Sequence, residues 1–185
     1  TGNHTPISIM DSVNNHDDSV FYIEKHIADD VRAAGRAAVK SFGVKSRFVH
    51  FEFFRLTEDH DYLGKKGKII GLEVNYRPSG GFTPDMINYA CSTDVYKDWA
   101  DMVAFDRLTK EEYPDKYYCV SAGCRKEKHY LHSYEEVMAA YKDDIMMTTE
   151  LPEVLASAMG DRLYLARFAE KEDMDAFISY VFATA

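Results

Sequence analysis

No apolar run in this chain approaches the roughly 20 residues that a helix needs to cross a bilayer, so the sequence offers no membrane-spanning helix. Cysteine is scarce. Cys91, Cys119 and Cys124 form an odd set in or beside apolar runs, the usage expected of reduced thiols in a cytoplasmic protein. The last two do not form a CxxC pair, which removes the simplest zinc site. Positive charge is in the minority, with 22 Lys and Arg against 31 Asp and Glu. The resulting net charge of −9 speaks against a nonspecific nucleic-acid binder or a binder of acidic membranes, whose footprint is a basic stripe. The segment TGNHTPISIMDSVNNHDDS has neither a basic end nor a long apolar centre, so it does not read as a signal peptide. Internal repeats, low-complexity tracts and an interdomain linker are missing as well.

Packing material is abundant. Of 185 residues, 46% are hydrophobic and 14% aromatic, which excludes a disordered solvating segment and fits a single domain with a real core. Thr1 to Asn3 read as a turn and Ile7 to Met10 as a strand with no element before it. The chain is therefore expected to be a piece of a larger protein.

Val20 to Glu24 predicts a strand, and Asp29 to Phe42 a helix with Val31, Ala34, Ala38 and Phe42 on one face and Gly43 at its end. Arg47 to Leu56 and Lys68 to Tyr76 predict two strands, and the polar segment between them is long enough to reverse direction, giving an antiparallel hairpin. Thr83, Pro84 and Asp85 open a helix to Cys91, and a second helix runs from Asp94 to Leu108 with Val95, Trp99, Met102 and Phe105 inward. Further on, Lys116 to Ala122 reads as a strand and Ser133 with Glu136 as a capping box. Pro152 to Met159 reads as a short helix ended by Gly160, and Leu163 to Phe168 as a strand. The last helix, Lys171 to Phe182, turns Met174, Phe177, Ile178 and Val181 inward.

Chemistry concentrates on the hairpin. In the run KIIGLEVNYRPSGG, Glu73, Asn75 and Arg77 are two apart and would share one strand face, with Leu72, Val74 and Tyr76 on the other. On the partner strand, His50 and Glu52 share a face opposite Val49, Phe51 and Phe53. If the polar faces coincide, Glu52, Glu73 and Asn75 converge. Two close carboxylates repel unless a cation lies between them, and oxygen donors of this kind suit Mg²⁺. A solvated outer face is the plain alternative, but FVHFEFF and IIGLEV are apolar enough to expect cover on both faces. His129 and His132 lack acidic or Cys partners at ligand spacing and read as surface loop, as does the Arg125, Lys126, Lys128 cluster.

With these residues in place, the sequence resembles the ATP-grasp superfamily of carboxylate ligases. Glu52 in VHFEFF matches the family's first acid, Glu73 and Asn75 in GLEVN its Glu-x-Asn pair, and Arg77 in NYRP the arginine that follows in many members. The look of GLEVNYRPSGG is closest to the carbamoyl-phosphate synthetase, biotin carboxylase and formate-dependent transformylase branches. The resemblance covers residues 1–110 and implies an α+β fold, a mostly antiparallel sheet flanked by helices, as the C-terminal half of an ATP-grasp fold; residues 111–185 would be an α/β extension packed on it. It implies ATP and Mg²⁺ (or Mn²⁺) as cofactors, with Glu52, Glu73 and Asn75 on the metal and Arg77 on the transferring phosphoryl group. His50, Gly80 and Gly81 would face the substrate; the even alternative for the diglycine is a plain strand-to-helix turn. The partners implied are a small-molecule carboxylate and a nucleophile. The upstream lysines, lid and adenine hinge of the family cannot be assigned, so a missing N-terminal part of the same protein is expected and the piece alone should be inactive. A homo-oligomer is compatible with this reading. The competing expectation is a noncatalytic module that keeps the fold for packing or partner binding.

Overall fold

The computed structural model describes residues 2–5, 9–107 and 116–184. In chain order the elements are β1 (Gly2–His4), α1 (Ile9–Asn15), β2 (Ser19–Glu24), α2 (Asp29–Ser41), β3 (His50–Arg55), β4 (Ile69–Asn75), α3 (Thr83–Cys91), α4 (Val95–Phe105), β5 (Tyr118–Cys124), α5 (Tyr134–Ala140), β6 (Ile145–Glu150), α6 (Glu153–Met159), β7 (Arg162–Phe168) and α7 (Lys171–Val181). They form an α+β fold of antiparallel sheets flanked by helices. The chain divides into two compact units: Thr1–Lys25, Asp85–Thr93 and Tyr113–Ala185 make the first, and His26–Pro84 with Asp94–Glu112 the second.

The first unit is built on a five-stranded sheet in the order β1-β2-β5-β7-β6, every neighbouring pair antiparallel. Strand alternation sorts its side chains. Tyr22, Val120, Ala122, Tyr164, Ala166 and Phe168 face Val137 of α5 and Met174, Phe177 and Val181 of α7 in one buried cluster. The opposite face buries Ile23, Cys119, Ser121, Leu163 and Leu165. Helix α7 follows its i, i+3, i+7 spacing faithfully: Met174 and Phe177 have no exposure at all. Helix α5 is opened by the full capping box, with Ser133 Oγ accepting from the Glu136 amide and the Glu136 carboxylate accepting from the Ser133 amide. At the end of α6, Gly160 adopts φ +85°, and a Cβ there would lie 2.6 Å from the Gly123 carbonyl carbon. A Cβ on Gly123 would in turn lie 1.8 Å from the Met159 oxygen, so glycine at both positions lets the helix end close onto β5.

Three expectations for this unit are corrected. Met10 belongs to α1, not to a strand, and Gly2–His4 is a strand, not a turn; Ile7 and Ser8 lie outside the described residues. A four-residue apolar run cannot separate a strand from the first turn of a helix. Strand β6 has no counterpart in the sequence reading. Arg125 is not a solvated loop residue: it is 3% exposed. Its Nε donates to the Asp17 carbonyl at 2.6 Å, and its Nη1 and Nη2 to the carbonyls of Ala156 and Ser157 at 3.2 and 3.1 Å. Two of those acceptors belong to the last turn of α6, where the helix dipole favours a cation; the Ala156 carbonyl also accepts from the Gly160 amide at 2.9 Å.

The second unit carries the hairpin. Strand β3 pairs with β4 antiparallel from His50↔Asn75 to Arg55↔Ile69. Asp59 fixes the connecting loop by accepting from Lys65 Nζ at 2.7 Å and the Lys66 amide at 2.9 Å. Helix α2 is tied to the hairpin at both ends: the Arg55 guanidinium donates twice to Asp30, at 2.5 and 2.9 Å, and the Tyr76 hydroxyl donates to the Phe42 carbonyl at 3.0 Å. A 13-residue helix and a six-residue strand are both about 20 Å long, so the two ties fit one helix lying along the strands. Gly43, at φ +59°, follows the α2 C-cap Phe42 in the left-handed conformation expected there. Asp94 caps α4 by accepting from the Tyr96 and Lys97 amides.

Cover on both hairpin faces does not hold. Phe54, Leu72 and Val74 are 57%, 56% and 37% exposed, because the sheet here has only two strands. Helix α4 also turns differently from the apolar pattern. Val95 is buried as expected, yet Asp98 and Asp101 are buried with it while Trp99 and Phe105 are exposed. The Trp99 ring lies 5.2 Å from that of Phe48, the two planes tilted by 33°. Leu108, the expected end of this helix, lies outside the described residues.

Candidate cation and phosphate site on the hairpin

The register places His50 opposite Asn75 and Glu52 opposite Glu73. Directly opposed residues of an antiparallel pair project to the same face, with Cβ atoms about 5 Å apart. The four polar side chains therefore form a two-by-two patch. Along β4, Asn75 Nδ2 donates to Glu73 Oε1 at 2.7 Å. Along β3, His50 Nε2 lies 3.6 Å from Glu52 Oε1. The patch is open to ligands: the Glu52 side chain is 42% exposed, and Glu73 is exposed as well.

A β-bulge sits immediately beside the patch. The register jumps from Glu52↔Glu73 to Phe53↔Gly71, so Leu72 is an extra residue on β4. An inserted residue reverses which side chains face which side. Strict alternation from Glu73 back through Leu72 therefore fails, and Ile70, opposite Phe54, joins the carboxylate face. Phe54 and Ile70 form an apolar border to the acidic pair that the sequence reading missed. Phe54 stands two residues beyond Glu52 on the same strand, a spacing that could have found it.

Strand β4 ends at Asn75, after which alternation no longer controls direction, and Arg77 Nη1 donates to the Pro78 carbonyl at 2.9 Å. Gly81 adopts φ +60°, a conformation that favours glycine, whereas an added Cβ at Gly80 would meet nothing within 4 Å. The Gly80 carbonyl accepts from the Thr83 amide at 3.4 Å, so the diglycine forms the turn into α3.

Among the described residues, no group of three or more His, Cys, Asp and Glu side chains is arranged to hold a metal ion. The patch offers instead two carboxylates and an amide. That donor set fits Mg²⁺, which commonly takes one or two carboxylates and fills its remaining positions with water and phosphate oxygens. Other candidates fall away. His132 stacks on Tyr180 with centroids 3.6 Å apart and planes 5° apart. No disulfide joins the three cysteines; burial pushes the Cys124 thiol up to about 12 and Cys119 higher still, so neither of these two is a nucleophile near neutral pH.

No protein-family model matches the chain, and no curated protein matches it by sequence. Among solved structures, phosphoribosylglycinamide synthetase from Anaerococcus prevotii superposes over 97% of this chain and 47% of its own, with a TM-score of 0.55 and 15% sequence identity. The likeness is one of fold. The chain spans about half the length of that structure. No helix among the described residues is long and apolar enough to cross a membrane.

Proposed function

We propose that this chain is the C-terminal part of an ATP-grasp carboxylate ligase, which in its intact form binds Mg²⁺-ATP and activates a carboxylate as an acylphosphate for attack by an amine, ammonia or a similar nucleophile. The observation that carries the reading is the opposition of Glu52 and Glu73 across the hairpin with Asn75 bonded beside them. Like charges directly opposed weaken a strand pair, and their placement on an open face is explained by a cationic ligand. Glu52, Glu73 and Asn75 would hold Mg²⁺, with Mn²⁺ able to replace it. The bound ion would supply charge neutralisation on the phosphates.

The remaining work falls to the chain's own groups. Arg77, released from the Pro78 carbonyl, would bring a permanently charged fork to the phosphoryl oxygens. Backbone amides of the Gly80–Gly81 turn are the groups assigned to substrate. The phosphate-holding lysines and the adenine contacts are assigned to an N-terminal part of the same protein. The 47% coverage of the superposed structure is consistent with that division.

The test is Mg²⁺-ATP binding and turnover in the full-length parent. Glu73→Gln should weaken nucleotide binding at fixed Mg²⁺ and depress turnover at least a hundredfold, about 2.7 kcal/mol of transition-state stabilisation, with Asn75→Ala acting in the same direction. Unchanged activity in both variants would sink the assignment and favour a noncatalytic module.

A further inference from the structure

We propose that His50 is a positioning residue: it donates an Nε2–H to Glu52 and so orients that carboxylate for the cation. The inference rests on the reading of Glu52, Glu73 and Asn75 as cation ligands and adds a fourth residue to their arrangement. Its basis is the pairing within the patch. Each carboxylate has one nitrogen-bearing neighbour two residues away on its own strand, Asn75 for Glu73 and His50 for Glu52, and the two neighbours stand opposite each other. On β4 the amide nitrogen already donates to Oε1 at 2.7 Å, leaving the second Glu73 oxygen for a ligand. On β3 the matching separation is 3.6 Å, which a small side-chain rotation closes.

The tautomer follows from what each ring nitrogen faces. His50 Nδ1 is buried and has no hydrogen-bond partner among the described residues. With Nδ1 unpartnered in either tautomer, the neighbour of Nε2 decides: a bare Nε2 lone pair would face the Glu52 carboxylate, so the ring proton belongs on Nε2. A carboxylate fixed by one N–H at one oxygen presents the other in a single orientation, which is how groups behind metal ligands raise affinity. His50 therefore acts through Glu52 and not on the reacting atoms.

Two measurements at one neutral pH test this on the chain itself. Long-range ¹H–¹⁵N NMR of the ring should show the proton on Nε2, and a proton on Nδ1 overturns the proposal whatever the metal does. Mn²⁺ binding followed by its electron paramagnetic resonance signal should weaken roughly tenfold in His50→Leu and stay close to the parent value in His50→Gln, which keeps an N–H donor. If Glu73→Gln weakens Mn²⁺ binding while His50→Leu does not, the positioning role fails and the cation site stands. If Glu73→Gln has no effect, or the chain does not bind Mn²⁺ at millimolar concentration, the site reading fails and this inference with it.

Discussion

Replacing Glu73 by Gln should make the second unit more stable without a divalent ion and less stable with one. Without the ion, the change removes one of two carboxylates that face each other across the hairpin. At about 6 Å in water-like surroundings, two unit charges repel by about 0.7 kcal/mol, and salt reduces this to about 0.5 kcal/mol for groups this exposed. The Asn75 hydrogen bond survives the substitution, because the Gln oxygen still accepts from Nδ2. Trp99, the chain's single tryptophan, lies in the same unit and reports its unfolding. With a urea slope of about 1–3 kcal/mol per molar, the midpoint should rise by about 0.2–0.5 M. Adding Mg²⁺ or Mn²⁺ at about 100 times its dissociation constant should stabilise the parent chain by about 2.7 kcal/mol and leave Glu73→Gln almost unmoved. The order of the two proteins then reverses. If it is the same with and without the ion, the opposed carboxylates are not a cation site.

Gly160→Ala should destabilise the first unit by about 3 kcal/mol, since it combines a left-handed backbone with a clash against β5; Gly43→Ala, left-handed but unobstructed, should cost only about 1 kcal/mol, and equal losses in urea titrations would remove the close-approach argument. Ser133→Ala breaks the capping box of α5 and should cost about 1 kcal/mol, a fall of about 2–4 °C in calorimetry; no change would show that the cap is not limiting. The Arg55 hydrogen bond holds the Asp30 carboxyl at about 2, below its ordinary 3.8, so the α2–hairpin tie is fully present above pH 3.8 and is lost as pH falls toward 2. Carboxyl ¹³C titration should show that midpoint and its return toward 3.8 in Arg55→Met; a midpoint already near 3.8 in the parent would contradict the tie.

The parts of the fold that depend on a local rule were legible. The spacing of Met174, Phe177 and Val181, the Ser133–Glu136 box and the reversal between β3 and β4 each follow from a few residues and survived intact. What failed depended on partners distant in sequence. Strand β6 reads IMMTTE, carries no clean alternation and lies at a sheet edge with a register shift, so only its pairing with β7 defines it. Arg125 looked solvated because its acceptors, near residues 17 and 156, are far away along the chain. At the site, the convergence of Glu52 with Glu73 could be read from alternation, but the Leu72 bulge could not. Arg77 lies beyond the end of β4, where alternation no longer fixes the face of a side chain.

The two units differ in how they earn stability, and the difference bears on where the site is. The first buries hydrophobic residues on both faces of its sheet, whereas Val95 is the one buried hydrophobic of the second among the described residues. That second unit relies more on discrete ties: Arg55 to Asp30, Tyr76 to Phe42, and Phe48 against Trp99. A hairpin with one face given to carboxylates cannot cover that face with apolar side chains and keep it reachable, so some stability is forgone there by construction. Elements of low local stability are also the ones that adjust when a ligand arrives. A cation between Glu52 and Glu73 would replace repulsion with attraction on the face that packing leaves open. Binding and ordering of the hairpin would then be one event.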